Sequence, residues 1–146
     1  MSKVFFDANI INDIYDSKRP MAKASYQCLK QCLEQGYDIV TSCDIVTNVY
    51  YITAKYTDKL NALDALEDIE ALFTILPFDN ALLKDAVELM KKDPSYADLE
   101  DTIQYLMAQQ NGCEMIITND KNFVSKDVKL YNAQEFLNTV IKRANQ

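Results

Sequence analysis

Histidine and tryptophan are absent from this chain, glycine occurs only twice, and proline only three times. Each shortage excludes something. Without histidine there is no Ser-His-Asp or Cys-His nucleophile, no His-ligated zinc and no imidazole to move protons near neutral pH. Carboxylates, and any metal they hold, must then carry demanding chemistry. So little glycine and proline excludes collagen-like and low-complexity sequence. A chain that is 49% hydrophobic and 25% charged is not disordered either. Long apolar runs are also missing. The opening stretch, MSKVFFDANI, is too short for a signal-peptide core or a membrane span, which predicts a soluble, cytoplasmic protein with no membrane partner. CxxC spacing is lacking among Cys28, Cys32, Cys43 and Cys113. Their scatter argues against a four-cysteine zinc site, and they read as free thiols in a reducing compartment.

What is present points to one compact α/β domain spanning residues 1–146. Short apolar runs at Val4–Phe6, Tyr37–Thr41, Phe73–Leu76, Met115–Thr118 and Val128–Tyr131 predict strands. Helical patterns fall between them, at about 9–16, 20–35, 43–56, 58–72, 79–91, 98–111 and 132–144. Strands interleaved with helices imply a central, mostly parallel sheet of four to five strands flanked by helices. Functional groups in such sheets gather beyond the carboxyl ends of the strands.

Acidic residues fall at those ends. Asp7 follows the first strand directly, where it is either a helix N-cap or a functional group. Asp120 lies two residues beyond Thr118, after the fourth predicted strand. Asp98 and Asp101 open the sixth predicted helix and, three residues apart, share one helical face. A capping box also explains that pair. If these acids converge, their like charges are costly together without a cation. Mg²⁺ or Mn²⁺ takes oxygen ligands and relieves that cost.

These motifs resemble the PIN-domain superfamily of metal-dependent ribonucleases, whose small members include VapC-type toxins of toxin–antitoxin pairs. The apolar strand followed by D-x-N is Phe5-Phe6-Asp7-Ala8-Asn9. The acid that begins a helix ending at a Gly eleven residues on is Asp101, with Gly112. The strand ending in T-x-D is Ile116-Ile117-Thr118-Asn119-Asp120. The resemblance runs from Val4 to about Leu137 and implies a three-layer PIN-like fold. It further implies that Asp7, Asp101 and Asp120 are catalytic metal ligands for Mg²⁺ or Mn²⁺, with Asp98 as an added carboxylate. Asn9 and Thr118 would orient them.

One position departs from the pattern. The family's second acid lies six residues after a Ser that follows the second strand; from Ser42 that position is Asn48. Asp44 either supplies the missing charge or is simply a first-turn acid near a Ser42 cap. The resemblance implies an RNA substrate, a protein antitoxin and a homodimer, for which Ile52, Leu60, Leu63, Leu66 and Ile69 could form a surface if they are not core. A net charge of −7 argues against broad nucleic-acid affinity. Lys18, Arg19, Lys121 and Lys126 are the candidate phosphate contacts, and Asn12, Tyr15 and Tyr51 candidate cleft residues. Tyr50 and Tyr51 alternatively pack with Val46 and Val49. The competing reading is a catalytically weakened PIN-like binding module, because Asn48 brings no charge. Haloacid-dehalogenase-type phosphotransfer fits poorly, since Asn9 stands where that chemistry needs a second Asp. A phospho-receiver lacks its acidic pair.

Overall fold

The computed structural model describes residues 2–144. Five strands form one sheet: β1 (Lys3–Phe6), β2 (Asp38–Ser42), β3 (Thr74–Leu76), β4 (Met115–Ile117) and β5 (Lys129–Tyr131). Seven helices flank it: α1 (Ala8–Ile14), α2 (Ala22–Glu34), α3 (Cys43–Tyr56), α4 (Lys59–Leu72), α5 (Asn80–Lys92), α6 (Leu99–Gln110) and α7 (Ala133–Ala144). Every strand pairing is parallel, in the order β3-β2-β1-β4-β5. The α/β class and the parallel sheet expected from the sequence are both realised, and boundaries shift by only a residue or two.

Burial explains the strand composition. Val4, Phe5 and Phe6 of β1 and Ile116 and Ile117 of β4 are wholly buried, because helices cover both faces of the sheet. Two turns deliver the chain from helix to strand. Gly36 (φ 76°) and Gly112 (φ 69°) adopt left-handed backbone just after α2 and α6. At each, the next amide bonds back to a carbonyl five residues earlier, Tyr37 N to Cys32 O and Cys113 N to Ala108 O. A side chain at Gly112 would meet open space, so Gly112→Ala strains only the backbone. It should cost about 1 kcal/mol and lower the melting temperature by roughly 2–4 °C in a thermal scan.

The four cysteines are free, with Cys28, Cys32 and Cys113 buried and Cys43 half-buried. The α4 pattern divides: Ala62, Ala65 and Ile69 are core, whereas Leu60 is 72% exposed and Leu63 is exposed as well. For those two leucines, core packing fails.

Topology places the site. The chain leaves β1 for β2 on one side, then returns to β4 on the other, so a crevice opens beyond the carboxyl ends of β1 and β4. Asp7 follows β1 and Thr118-Asn119-Asp120 follow β4. The Asp7 amide bonds Ile117 O at 3.0 Å, which ties these two ends together.

Candidate active site

Asp7 is buried and over-determined. It caps α1, with Oδ1 accepting from the Ala8 amide at 2.7 Å. Its Oδ2 accepts from the Thr118 hydroxyl at 2.8 Å and from Asn9 Nδ2 at 3.1 Å. Asn9 Oδ1 accepts from the Asn119 amide at 3.0 Å, and the Asp120 amide bonds Thr118 Oγ1 at 3.1 Å. Both expected supporting residues, Asn9 and Thr118, therefore hold Asp7 against the β4 loop. The capping reading of Asp7 is realised, and its second oxygen is held from the β4 loop.

The opposite wall is the start of α6. Asp98 is its N-cap, accepting from the Asp101 amide at 2.9 Å, as the capping reading expected. The Asp101 carboxylate makes no hydrogen bond among the described residues and lines a groove with Asp98, Thr102, Asp120 and Asn122. Asp120 Oδ1 accepts from the Asn122 amide at 2.9 Å, closing the short turn after β4.

The charges of these acids bear on one another. Burial pushes the Asp7 carboxyl up to about 6, against the pull of the Thr118 and Ala8 hydrogen bonds and with help from Glu100 and Asp120. Burial, then Asp7, Asp98, Asp120 and Glu100, raise Asp101 to about 7. Glu100, which sequence reasoning passed over, is raised by burial first and then by Asp44 and Asp98. Its only advance signal was the acid string Asp98-Leu99-Glu100-Asp101. Among the described residues, no three acids close on a point that could hold a metal ion. The donor set is nonetheless all oxygen, with unpaired charge, and it suits a hard divalent cation such as Mg²⁺ or Mn²⁺.

The α3 residues stand beside this cluster. Asp44, Asn48 and Tyr51 line a neighbouring groove with Leu99 and Glu100. The Ser42 hydroxyl makes no capping bond and donates to Asp44 instead. Burial raises Asp44, and the charge of Asp44 in turn raises Glu100. Asn48 Oδ1 accepts from buried Asn12 Nδ2 at 3.3 Å. The packing reading fails for Tyr51, which is 71% exposed on the groove rim. Tyr15 is not a cleft residue. Its hydroxyl donates to Asp68 on α4, and it lines a separate groove with Tyr56 and Asn61.

The basic residues also sort themselves. Lys126 pairs with Asp93 at 2.5 Å, and its amide bonds the hydroxyl of Tyr96, which lines the acidic groove. Arg19 Nε bonds Asp13 Oδ1 at 2.7 Å. Asp13, on α1, was not foreseen. Its other oxygen accepts from Ser25 at 2.9 Å and from Asn119 Nδ2 at 2.7 Å, bracing the β4 loop against α1 and α2. A charged residue among the apolar residues of α1 was the only hint.

The PIN domain family matches residues 4–129. Ribonuclease VapC1 of Aquifex aeolicus is 41% identical over 134 residues, covering 92% of each chain. Among solved structures, VapC20 of Mycobacterium tuberculosis, a sarcin–ricin loop cleaving toxin, superposes with a TM-score of 0.67 at 13% identity. That match covers 82% of this chain and 92% of the other. A toxin–antitoxin complex from Klebsiella pneumoniae gives 0.65 at 21% identity, covering 89% and 97%. Sequence and architecture agree, and the chain belongs to the PIN-domain family.

Proposed function

We propose that this protein is a divalent-metal-dependent endoribonuclease and the toxin of a toxin–antitoxin pair, acting in the cytoplasm. The observation that carries the reading is the groove where Asp98 and Asp101, at the start of α6, meet Asp120 beyond β4, with buried Asp7 tied to the same β4 loop through Thr118. Its 41% identity to a VapC1 ribonuclease supports RNA as substrate, and the toxin–antitoxin complex among its structural neighbours supports a protein inhibitor.

Asp7, Asp101 and Asp120 would hold Mg²⁺ or Mn²⁺, which when bound supplies positive charge for a phosphodiester oxygen and acidifies water. Asp7 is the immobile ligand, since three donors fix its oxygens. Asp101, free of hydrogen bonds, is the adaptable one. Asp120 projects from the loop that Thr118 anchors, where it can orient a water toward the scissile phosphate. Asp98 and Glu100 add charge from the α6 start. With Glu100 and Asp44 on its groove, the uncharged Asn48 does not leave the site short of carboxylates, and the binding-module reading loses its main support. Asn48 serves as a neutral group held by Asn12. A homodimer belongs to the proposal, with exposed Leu60 and Leu63 on α4 as its candidate surface.

Calorimetric titration of Mn²⁺ and Mg²⁺ into the wild type tests this, paired with RNA cleavage with and without a chelator. Saturable binding and chelator-sensitive cleavage are expected. A wild type that binds neither ion, or cleaves equally well with the chelator, would overturn it.

A further inference from the structure

Arg19 is a cation that shares a groove with Asp120 in this acidic protein. It sits in the loop between α1 and α2, whose backbone is closed by successive turns: Arg19 N to Asp16 O at 3.0 Å and Ala22 N to Arg19 O at 3.1 Å. Pro20 then restricts the chain further. The side chain is held at its far end too, because Nε donates to buried Asp13 at 2.7 Å. Asp13 cannot yield, being 5% exposed and also bonded by Ser25 and Asn119. A guanidinium has five N–H donors. Only the Nε donor is engaged among the described residues, and the side chain remains 31% exposed. Its groove is shared with Asn9, Asn119 and Asp120.

We propose that Arg19, pre-oriented by Asp13, is a phosphate clamp that grips the RNA backbone next to the scissile linkage. The inference rests on the ribonuclease reading above and names how that site holds its substrate. A planar fork fixed at Nε presents its Nη groups to two oxygens of one phosphate, which a flexible lysine does not reproduce. Holding the side chain in advance removes most of the ordering cost of the contact. Asp13 cancels the charge of Arg19 at long range, which explains how a chain with 22 acidic and 15 basic residues can keep a phosphate contact without a basic surface. Lys18 and Lys121 are exposed and make no ion pair among the described residues, so they lack this preparation.

The test compares steady-state RNA cleavage by wild type, Arg19→Lys, the double variant Asp13→Asn/Arg19→Gln, and Lys18→Ala. The double variant keeps a neutral hydrogen-bonded pair, so it preserves the brace while removing the cation together with its counter-charge. For both Arg19 variants, KM should rise about tenfold or more with kcat little changed. The salt dependence of kcat/KM between about 50 and about 200 mM should flatten by about 0.7 in log–log slope, one contact's worth on single-stranded RNA. Mn²⁺ affinity by calorimetry should not move, and Lys18→Ala should cleave like wild type. A double variant with wild-type KM and salt slope would show that Arg19 only neutralises Asp13, and would overturn the clamp alone. A wild type with no metal-dependent cleavage would overturn the ribonuclease reading and the clamp with it.

Discussion

Asp101→Asn is expected to lower metal-dependent turnover by at least about a hundredfold while raising the melting temperature of the metal-free protein. The first effect follows from losing a ligand, since even outer-shell changes at metal sites cost roughly 10–100-fold. The second follows from the charges around it. Without a cation, the Asp101 carboxylate faces Asp7, Asp98, Asp120 and Glu100, and burial penalises it further. It makes no hydrogen bond that the amide would lose. Removing the charge should return about 1 kcal/mol after screening by solvent, roughly 2–4 °C in a melt at pH 8. The gain should shrink as pH falls through about 7 and vanish only below about pH 4, where the unfolded carboxyl is protonated too. Asp7→Asn provides the contrast. It too should abolish metal binding, yet it should destabilise the fold. The Asp7 oxygens accept from Ala8, Asn9 and Thr118, so an amide turned either way sets its NH₂ against a donor. A stabilised Asp7→Asn, or an Asp101→Asn with wild-type Mn²⁺ affinity, would contradict the site.

Metal affinity and metal-free stability should respond to pH in opposite directions. Asp7 and Asp101 are raised from 3.8 to about 6 and about 7. Above about pH 7 both are ionised and metal affinity should be flat. Between about 7 and 6 one proton must leave for each ion bound, and affinity should fall about tenfold per pH unit. Below about 6 two must leave, and the fall should approach a hundredfold per unit. Stability without metal runs the other way. The folded state holds these protons more tightly than the unfolded chain, so their contribution is full below about pH 4 and is lost as pH rises through about 6 and 7. Melting curves from pH 5 to pH 8, with and without Mn²⁺, read both trends in one experiment. An Mn²⁺ shift of constant size across that range would refute the coupling.

Local signals were enough to locate the main acids. Asp7 ends an apolar strand and caps a helix, Asp98 caps α6 and places Asp101 in its first turn, and Gly112 ends that helix ahead of β4. Strand ends, caps and helix stops are written in neighbouring residues, so Asp7, Asp98, Asp101 and Asp120 could be assigned to the sheet's carboxyl edge before any contact was known. The same locality explains why the five strands and seven helices follow their expected spans so closely.

Other residues depended on which helix faces meet. Leu60 and Leu63 lie about 180° and about 120° around α4 from Ile69. Which of these faces meets the core was fixed by α4 packing mainly on α3, which buries Ile69 and leaves the two leucines exposed. Tyr15 turned toward Asp68 rather than the crevice. Arg19 read like any surface cation until Asp13, itself braced by Ser25 and the distant Asn119, was seen to hold it. Glu100 is adjacent to Asp101 and about 100° around the helix from it, which suggests divergence; only the approach of α3 and β1 sets Asp44 and Asp7 near it. By itself, then, the sequence determined the α/β fold and which acids stand at the strand ends, because backbone preferences act over a few residues. The tertiary structure decided which side chains share a groove and which charges are braced, because those depend on packing between segments far apart in the chain.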